Sequence, residues 1–394
     1  MRTSCIALAF AAAAASAAPL TKRWEYASRW DLQGHRGGRG EAIEDLLPAF
    51  AHALITGVTT LEMDFGVTKD GHGVIWHDES IQPEKCFDTG PVVENDPMYP
   101  YVGKYIANLT LAQVKSLDCG SQRLDGFPLQ YLVPGQKIST VDEMFDFVEC
   151  AMDEPVLFNI ESKVDGDFHN LTRSPEDFND VFLSILEKRG PELIDRVTHQ
   201  SFDWRSLIIS KERMPSLRTS ALCDDTTIWA YPEGATTGNL SVHGTGPSNW
   251  LAGLDIDTFE GETVGERVVR AAHAIKADIV SPTATSYAST AQDPALDGWI
   301  PFTNNSMVDT AHSLNMMVKP WTPNTLNLIS YLIDIKVDGL ITDYPENVRR
   351  YLEVEHSDFK LAPRGDKARV RQCLAELNQR HNVSSTVPIW AQAA

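Results

Sequence analysis

What most constrains this chain is a rhythm of short β-rich segments separated by stretches with helical spacing. Eight such segments occur: LQGH (32–35), TLEMDF (60–65), VLFNIE (156–161), RVTHQSF (196–202), LRTSAL (217–222), ADIVSP (277–282), MMVKPW (316–321) and GLITDY (339–344). LPAFAHALITG (47–57) carries apolar residues at helical spacing and stops on a glycine. STVDEMFDFVEC opens with Ser/Thr ahead of acidic residues, and PEDFNDVFLSILEKRG (175–190) begins with proline and ends with glycine. GERVVRAAHAIK and SMVDTAHSLN precede later strands in the same way. Eight strands with intervening helices predict an α/β domain folded as a (β/α)8 TIM barrel. An open doubly wound sheet is the alternative. Residues 78–137, rich in Pro, Gly and Asp, form an insertion after the second strand, and residues 223–265 read as a long loop. In a barrel, both would border the strand C-termini where active sites form.

The N-terminus reads as a secretory signal peptide, residues 1–18. Arg2 supplies the charge, Cys5 to Ala15 the apolar run, and ASAA the small cleavage positions. Lys22-Arg23 offers a further processing point. The barrel domain is assigned to 24–365 and a C-terminal helix and tail to 366–394. Sequons at Asn108, Asn170, Asn239, Asn304 and Asn382 suit an exported glycoprotein. No later run reaches the roughly 18 apolar residues of a membrane span, so stable membrane insertion is not expected. The formal net charge of −20 argues against nucleic acid as a partner. Five cysteines follow the leader, an odd number, and Cys86 with Cys119 is the expected pair because both lie in the insertion.

The chemistry collects at predicted strand ends. LQGHRGGRGEAIED (32–45) fits neither a dinucleotide fingerprint, since the third glycine position falls on Ile43, nor a phosphate loop, which needs Gly-Lys-Ser/Thr. What remains is a strand ending in His35-Arg36, then glycines that permit a tight turn and leave room beside a ligand. Glu62 and Asp64 are two apart on a strand and so share a face. Two carboxylates there call for a cation, and Mg²⁺ or Ca²⁺ is the natural partner for oxygen ligands. After the turn at 69–71, VIWHD returns His77 to the same rim. Glu161 and Lys163 repeat the two-residue spacing, Glu161 as a third ligand and Lys163 facing an anion. This set suits phosphodiester hydrolysis: cations offset phosphoryl charge, one histidine activates the nucleophile and the other protonates the leaving alkoxide. His199 is expected in the core or behind the ligands.

In its motifs the chain resembles the glycerophosphodiester phosphodiesterase family. The matching residues are His35-Arg36-Gly37, Glu44, LPAF (47–50), Glu62-x-Asp64, TKDG (68–71), His77-Asp78, Glu161-x-Lys163, SFD (201–203), WT (321–322) and DGLITDYP (338–345). The resemblance implies a TIM barrel, one divalent cation, and cleavage of a small glycerophosphodiester to an alcohol and glycerol 3-phosphate. It implies Glu62, Asp64 and Glu161 as metal ligands and His35 and His77 as the acid/base pair. It further implies Arg36 and Lys163 at the phosphate, Glu44 near the site, and Trp321 at the pocket wall. The family's Glu-Asn-Thr reads Glu44-Asp45-Leu46 here, and Asp45 is expected to point away or pair with Arg39. The competing readings are a phospholipid-directed phosphodiesterase or lyase, and a barrel that binds without catalysis.

Overall fold

The computed structural model describes residues 29–230 and 245–380. The leader, Cys5, Lys22-Arg23, the sequons at Asn239 and Asn382, part of the 223–265 loop and the tail beyond Arg380 lie outside the described residues. Strand β1 (Asp31–Gly34) leads to α1 (Leu47–Thr56) and β2 (Thr60–Val67), and β3 (Gly73–Ile75) pairs antiparallel with β2. Next come α2 (Leu111–Ser116), α3 (Val141–Ala151), β4 (Leu157–Ser162), α4 (Pro175–Arg189) and α5 (Pro191–Ile194). They are followed by β5 (Val197–Ser201), α6 (Trp204–Arg213), β6 (Arg218–Cys223), α7 (Val264–Ala274) and β7 (Ile279–Pro282). The last elements are α8 (Asn305–Ser313), β8 (Met317–Val318), α9 (Leu326–Asp334), β9 (Gly339–Thr342), α10 (Pro345–Glu355) and α11 (Lys367–Arg380).

All strands except β3 run parallel, in the order β8-β7-β6-β5-β4-β2-β1-β9. The ring is drawn together where Asp338 N donates to Val318 O (2.9 Å) and Ile341 N to Pro320 O (3.0 Å). Trp321 bridges Ile341 at the same seam. The eight parallel strands are the eight segments expected from the alternation, and this seam is what excludes an open sheet.

Local chemistry sets the helix ends. Thr140 and Ser174 each accept from the backbone three residues on, and Glu143 and Asp177 return the bond, so two exposed donors are satisfied at each start. Helix α1 has Pro48 in its first turn and ends at Gly57 with φ 83°, where a side chain would strike Arg349 and Arg364. Outward-facing Met63 and Phe65 of β2 meet the helices, and Phe65 lies 5.2 and 5.3 Å from Phe178 and Phe182 of α4. Each such ring contributes about 1.5–3 kcal/mol on burial.

The barrel interior is polar, unlike the branched apolar layers usual in this architecture. Asn159 on β4 donates to Gln33 of β1 and Gln200 of β5, both at 2.9 Å, and Lys319 pairs with Asp31 at 2.7 Å. Gln200 in turn donates to Glu62 at 2.6 Å, so this network orients the first acidic side chain of the rim.

Between β3 and α3 the chain forms an excursion with its own apolar cluster, including Trp76, Ile81, Tyr101 and Val114. Cys86–Cys119 staples it, the pairing expected from the sequence. A second bond, Cys150–Cys373, fastens α3 to α11 across a separation of 223 residues, and Cys223 is free and buried. Residue spacing gave no hint of that long-range bond.

Candidate active site

The site forms at the C-terminal ends of β1, β2 and β4, where barrel side chains converge. β1 runs into a tight turn, His35–Gly37, with Arg36 at φ 50° and Gly37 at φ 80°. The turn was expected, but the room made by its glycines was assigned to a ligand, and the structure corrects this. A Cβ on Gly37 would lie 2.7 Å from Ala49 of α1, on Gly38 2.9 Å from Pro345, and on Gly40 2.4 Å from the Tyr344 ring. The glycines therefore let the turn pack against protein.

Parallel register places Asp64 opposite Glu161, with Glu62 two pairs below and on the same face. Ligand oxygens of Glu62, Asp64 and Glu161 all lie within 4.8 Å of one another. Arg36 is threaded among them. Its backbone N–H donates to Glu62 Oε2 (2.7 Å), and its Nε lies 3.0 Å from Asp64 Oδ2 as an ion pair without hydrogen-bond alignment. Lys163 Nζ donates to Glu161 Oε1 at 2.7 Å. Neither Asp64 oxygen takes a hydrogen bond among the described residues. Burial and the neighbouring Asp64 push Glu62 well above the usual carboxylate range and Glu161 up to about 8, whereas Arg36 outweighs burial and holds Asp64 low. Three hard oxygen donors, one whose oxygens take no hydrogen bond among the described residues and two that resist ionising alone, fit a divalent cation.

The two histidines flank this trio, each with Nδ1 on a carboxylate. His35 meets Asp343 Oδ1 at 2.5 Å, and Asn324 holds the other oxygen of Asp343. His77 meets Asp78 Oδ1 at 2.9 Å, and Lys85 holds Asp78 Oδ2 at 2.5 Å. In both rings Nε2 takes no side-chain hydrogen bond among the described residues. Burial, then the charge of Arg36, lowers both pKa values, His77 more strongly.

Glu44 stands behind the cavity. It accepts from Arg36 Nη1 (3.0 Å) and Lys85 Nζ (2.7 Å), and pairs with Arg39 Nε at 2.7 Å. Burial would raise its pKa, but these three cations hold it well below the usual range. This corrects the sequence reading of Arg39, which was the expected partner of Asp45 if that residue did not point away. It lies instead against Glu44 and stacks 4.4 Å above Phe127. Asp45 does not point away either. It is buried at φ 57°, and its Oδ1 accepts from the Asp64 backbone at 3.4 Å.

A cavity of about 310 Å³ opens over the trio, lined by His35, Arg36, Arg39, His77, Gln200 and Trp321 among others. Glu44 and Lys163 do not line it. Trp321 is both cavity wall and barrel seam, its Nε1 donating to Ser281 O at 3.0 Å. His199 is core: Ser210 and Ser162 hold its two nitrogens at 2.7 and 2.9 Å, and burial lowers its pKa to about 3. Sequence reasoning missed Gln200, Asp343, Lys85 and Asp224. Asp343 lay within a quoted motif, DGLITDYP, whereas nothing in the sequence marked Lys85, which reaches the site from the insertion.

The glycerophosphoryl diester phosphodiesterase family profile matches residues 35–347. A glycerophosphodiester phosphodiesterase of Caldanaerobacter subterraneus is 27% identical over 188 residues, 48% of this chain and 64% of that protein. The chain thus spans less than two thirds of that relative. A solved structure from Silicibacter pomeroyi aligns with TM-score 0.58 at 22% identity, over 90% of this chain and 98% of its own. An Oleispira antarctica phosphodiesterase, solved with the product sn-glycerol-3-phosphate, aligns with TM-score 0.54 at 17% identity, over 83% and 98%. At these identities the structural likeness is one of fold.

Proposed function

The chain belongs to the glycerophosphoryl diester phosphodiesterase family, and from that premise we propose that it hydrolyses small glycerophosphodiesters to an alcohol and glycerol 3-phosphate. The observation that carries the reading is the convergence of Glu62, Asp64 and Glu161 beneath a cavity walled by His35, His77 and Arg36. The product in the Oleispira antarctica structure supports it. Glu62, Asp64 and Glu161 would hold one Mg²⁺ or Ca²⁺. When bound, the cation supplies charge to offset the phosphoryl oxygens.

The rest is done by the chain's own residues. Arg36, fixed by Glu44 and Asp64, presents positive charge at the cavity floor, and Lys163 adds to the local field behind Glu161. One histidine accepts a proton from the attacking water at Nε2, while the other donates from Nε2 to the departing alkoxide. Asp343 and Asp78 fix the ring orientations and stabilise the charged imidazole. Export is proposed alongside, and the two disulfides are consistent with an oxidising compartment.

The test is product analysis on glycerophosphocholine and glycerophosphoglycerol, with and without EDTA. Release of glycerol 3-phosphate, lost in EDTA and restored by Mg²⁺ or Ca²⁺, is the expected result. A cyclic phosphate product would point to a lyase, and full activity in EDTA would remove the metal from the mechanism.

A further inference from the structure

Arg36 and Arg39 both line the cavity over the acidic trio, whereas Lys163 and Lys85 do not. Lys163 is held by Glu161, and Lys85 by Glu44 and Asp78. Arg36 is engaged by Glu44, by Asp64 and, through its backbone, by Glu62. Arg39 is held differently.

The turn after β1 and the insertion together fix Arg39 at four points. Its backbone N–H donates to His35 O at 3.1 Å, and its carbonyl accepts from Gln130 Nε2 at 2.7 Å. The guanidinium carbon lies 4.4 Å from the centre of the Phe127 ring, in the same loop as Gln130. Its Nε lies 2.7 Å from Glu44 Oε2. The outer end is left over: Nη1 and Nη2 take no hydrogen bond among the described residues. A side chain fixed along its stem loses little further freedom when its fork meets a ligand.

Glu44 also sets the two arginines side by side. Its Oε1 accepts from Arg36 Nη1 at 3.0 Å, while its Oε2 faces Arg39. Arg36 has Asp64 as a second counter-charge. Arg39 has no second carboxylate at ion-pair distance among the described residues. This wall of the cavity is therefore positive where the trio is negative, and an anion that touches both a bound cation and Arg39 suits it.

We propose that Arg39 is a second phosphoryl-binding residue beside Arg36, and that it holds the phosphate monoester released by the reaction more strongly than the diester that enters. The inference rests on the phosphodiesterase reading above. A phosphate over Glu62, Asp64 and Glu161 would meet Nη1 and Nη2, a planar pair of donors matched to two phosphoryl oxygens. A diester carries a single negative charge. The monoester carries about two near neutral pH, and has one more oxygen free to accept. A fixed guanidinium with an open fork therefore gains more from the product, and accumulated glycerol 3-phosphate competes with substrate through Arg39.

The test is calorimetric titration of sn-glycerol 3-phosphate into protein supplied with Mg²⁺ or Ca²⁺, with kinetics on glycerophosphocholine alongside. Arg39→Met should weaken product binding about tenfold or more, as expected for lost hydrogen bonds between charged groups. KM for the diester should rise by a smaller factor, and kcat should change least, because the contact is made in the ground state as well as the transition state. Arg39→Lys, which keeps the charge without the fork, should fall between Arg39→Met and the wild-type protein. Lys85→Met takes from Glu44 a cation that does not face the cavity, and should leave product affinity near the wild-type value. Unchanged product affinity in folded Arg39→Met, or in Arg39→Lys should the first variant not fold, would overturn the inference. So would a diester KM that rises as much as the product Kd, or an equal loss of product affinity in Lys85→Met, which would mean that Arg39 acts only through Glu44. Each of these results leaves the phosphodiesterase reading standing. If the wild-type protein neither hydrolyses the diester nor binds the product, that reading itself fails and the inference falls with it.

Discussion

Glu44 and Glu62 lie on opposite sides of Arg36, both almost wholly buried, at 4% and 1% exposure. Their surroundings are opposite in charge. Glu44 is met by Arg36, Arg39 and Lys85, and its carboxyl ionises readily. Glu62 shares its space with Asp64, Glu161 and the nearby Asp45, and burial with that crowding holds its proton on. Equal burial therefore does not make equal function. A carboxylate surrounded by cations is a fixture of the scaffold, whereas acids gathered without enough positive charge are prepared for something that arrives. Arg36 belongs to both centres, which is why Asp64, its partner on the cavity side, stays ionised.

On the proposed function catalysis lies on the cavity side, so the largest effects on turnover should be found there. His35→Asn and His77→Asn should each lower kcat by roughly 10²–10⁴-fold, the usual range for losing a general acid or base. Wild-type turnover in a variant lacking both histidines would leave the cavity without its acid and base.

On the other side, the dominant effect should be on stability. Glu44→Gln removes the one carboxylate that Arg36, Arg39 and Lys85 share, leaving Arg36 only Asp64 and Lys85 only Asp78, and should cost about 3–5 kcal/mol in denaturant unfolding. A negligible loss would mean that the three cations do not need Glu44.

Glu62→Gln should show the reverse pattern. Activity should fall at least about 100-fold, the upper end of the cost of losing a residue behind the ligands. The melting temperature of the metal-free protein should hold, because the amide stands in for an acid whose ionisation burial and Asp64 already oppose. A variant that loses stability and keeps activity would erase the distinction between Glu44 and Glu62.

The smallest effect is a pH slope. Glu161 has a folded pKa raised to about 8 from 4.5, so between those values the folded metal-free protein holds a proton that the unfolded chain has released. Its contribution is fully present below 4.5 and is lost as pH rises through 8. The two rim histidines and His199, with folded values below 6.5, act in the opposite sense only below 6.5. From pH 6.5 to 8, Glu161 alone should therefore lower the stability of the EDTA-treated protein by up to about 2 kcal/mol. Denaturant titrations across that window should show the slope in the wild-type protein and a shallower one in Glu161→Gln, where the raised Glu62 and Asp45 still contribute.

Much of this was readable in advance because it follows from period and spacing. Strand and helix alternation gave the barrel, and two-residue spacing put Glu62 with Asp64 on one face. What could not be read depends on distant contact. The Arg39–Glu44 pair needs the turn at Gly37–Gly38 to fold back against α1. Lys85 arrives on an insertion whose path no periodicity describes, and Asp343 sits 308 residues from the histidine it holds. The role of the glycines was misjudged for the same reason, since a glycine reports close approach without saying what approaches.

The most direct test of the central claim, that the under-compensated trio is a cation site, is thermal unfolding of EDTA-stripped protein against added Mg²⁺ or Ca²⁺. A ligand that binds only the folded state stabilises it by mass action, about 2.7 kcal/mol at one hundred times Kd. The account predicts that the melting temperature of the wild-type protein rises with cation concentration and that Glu161→Gln abolishes most of the rise. No rise in the wild-type protein, or an equal rise in Glu161→Gln, would contradict it.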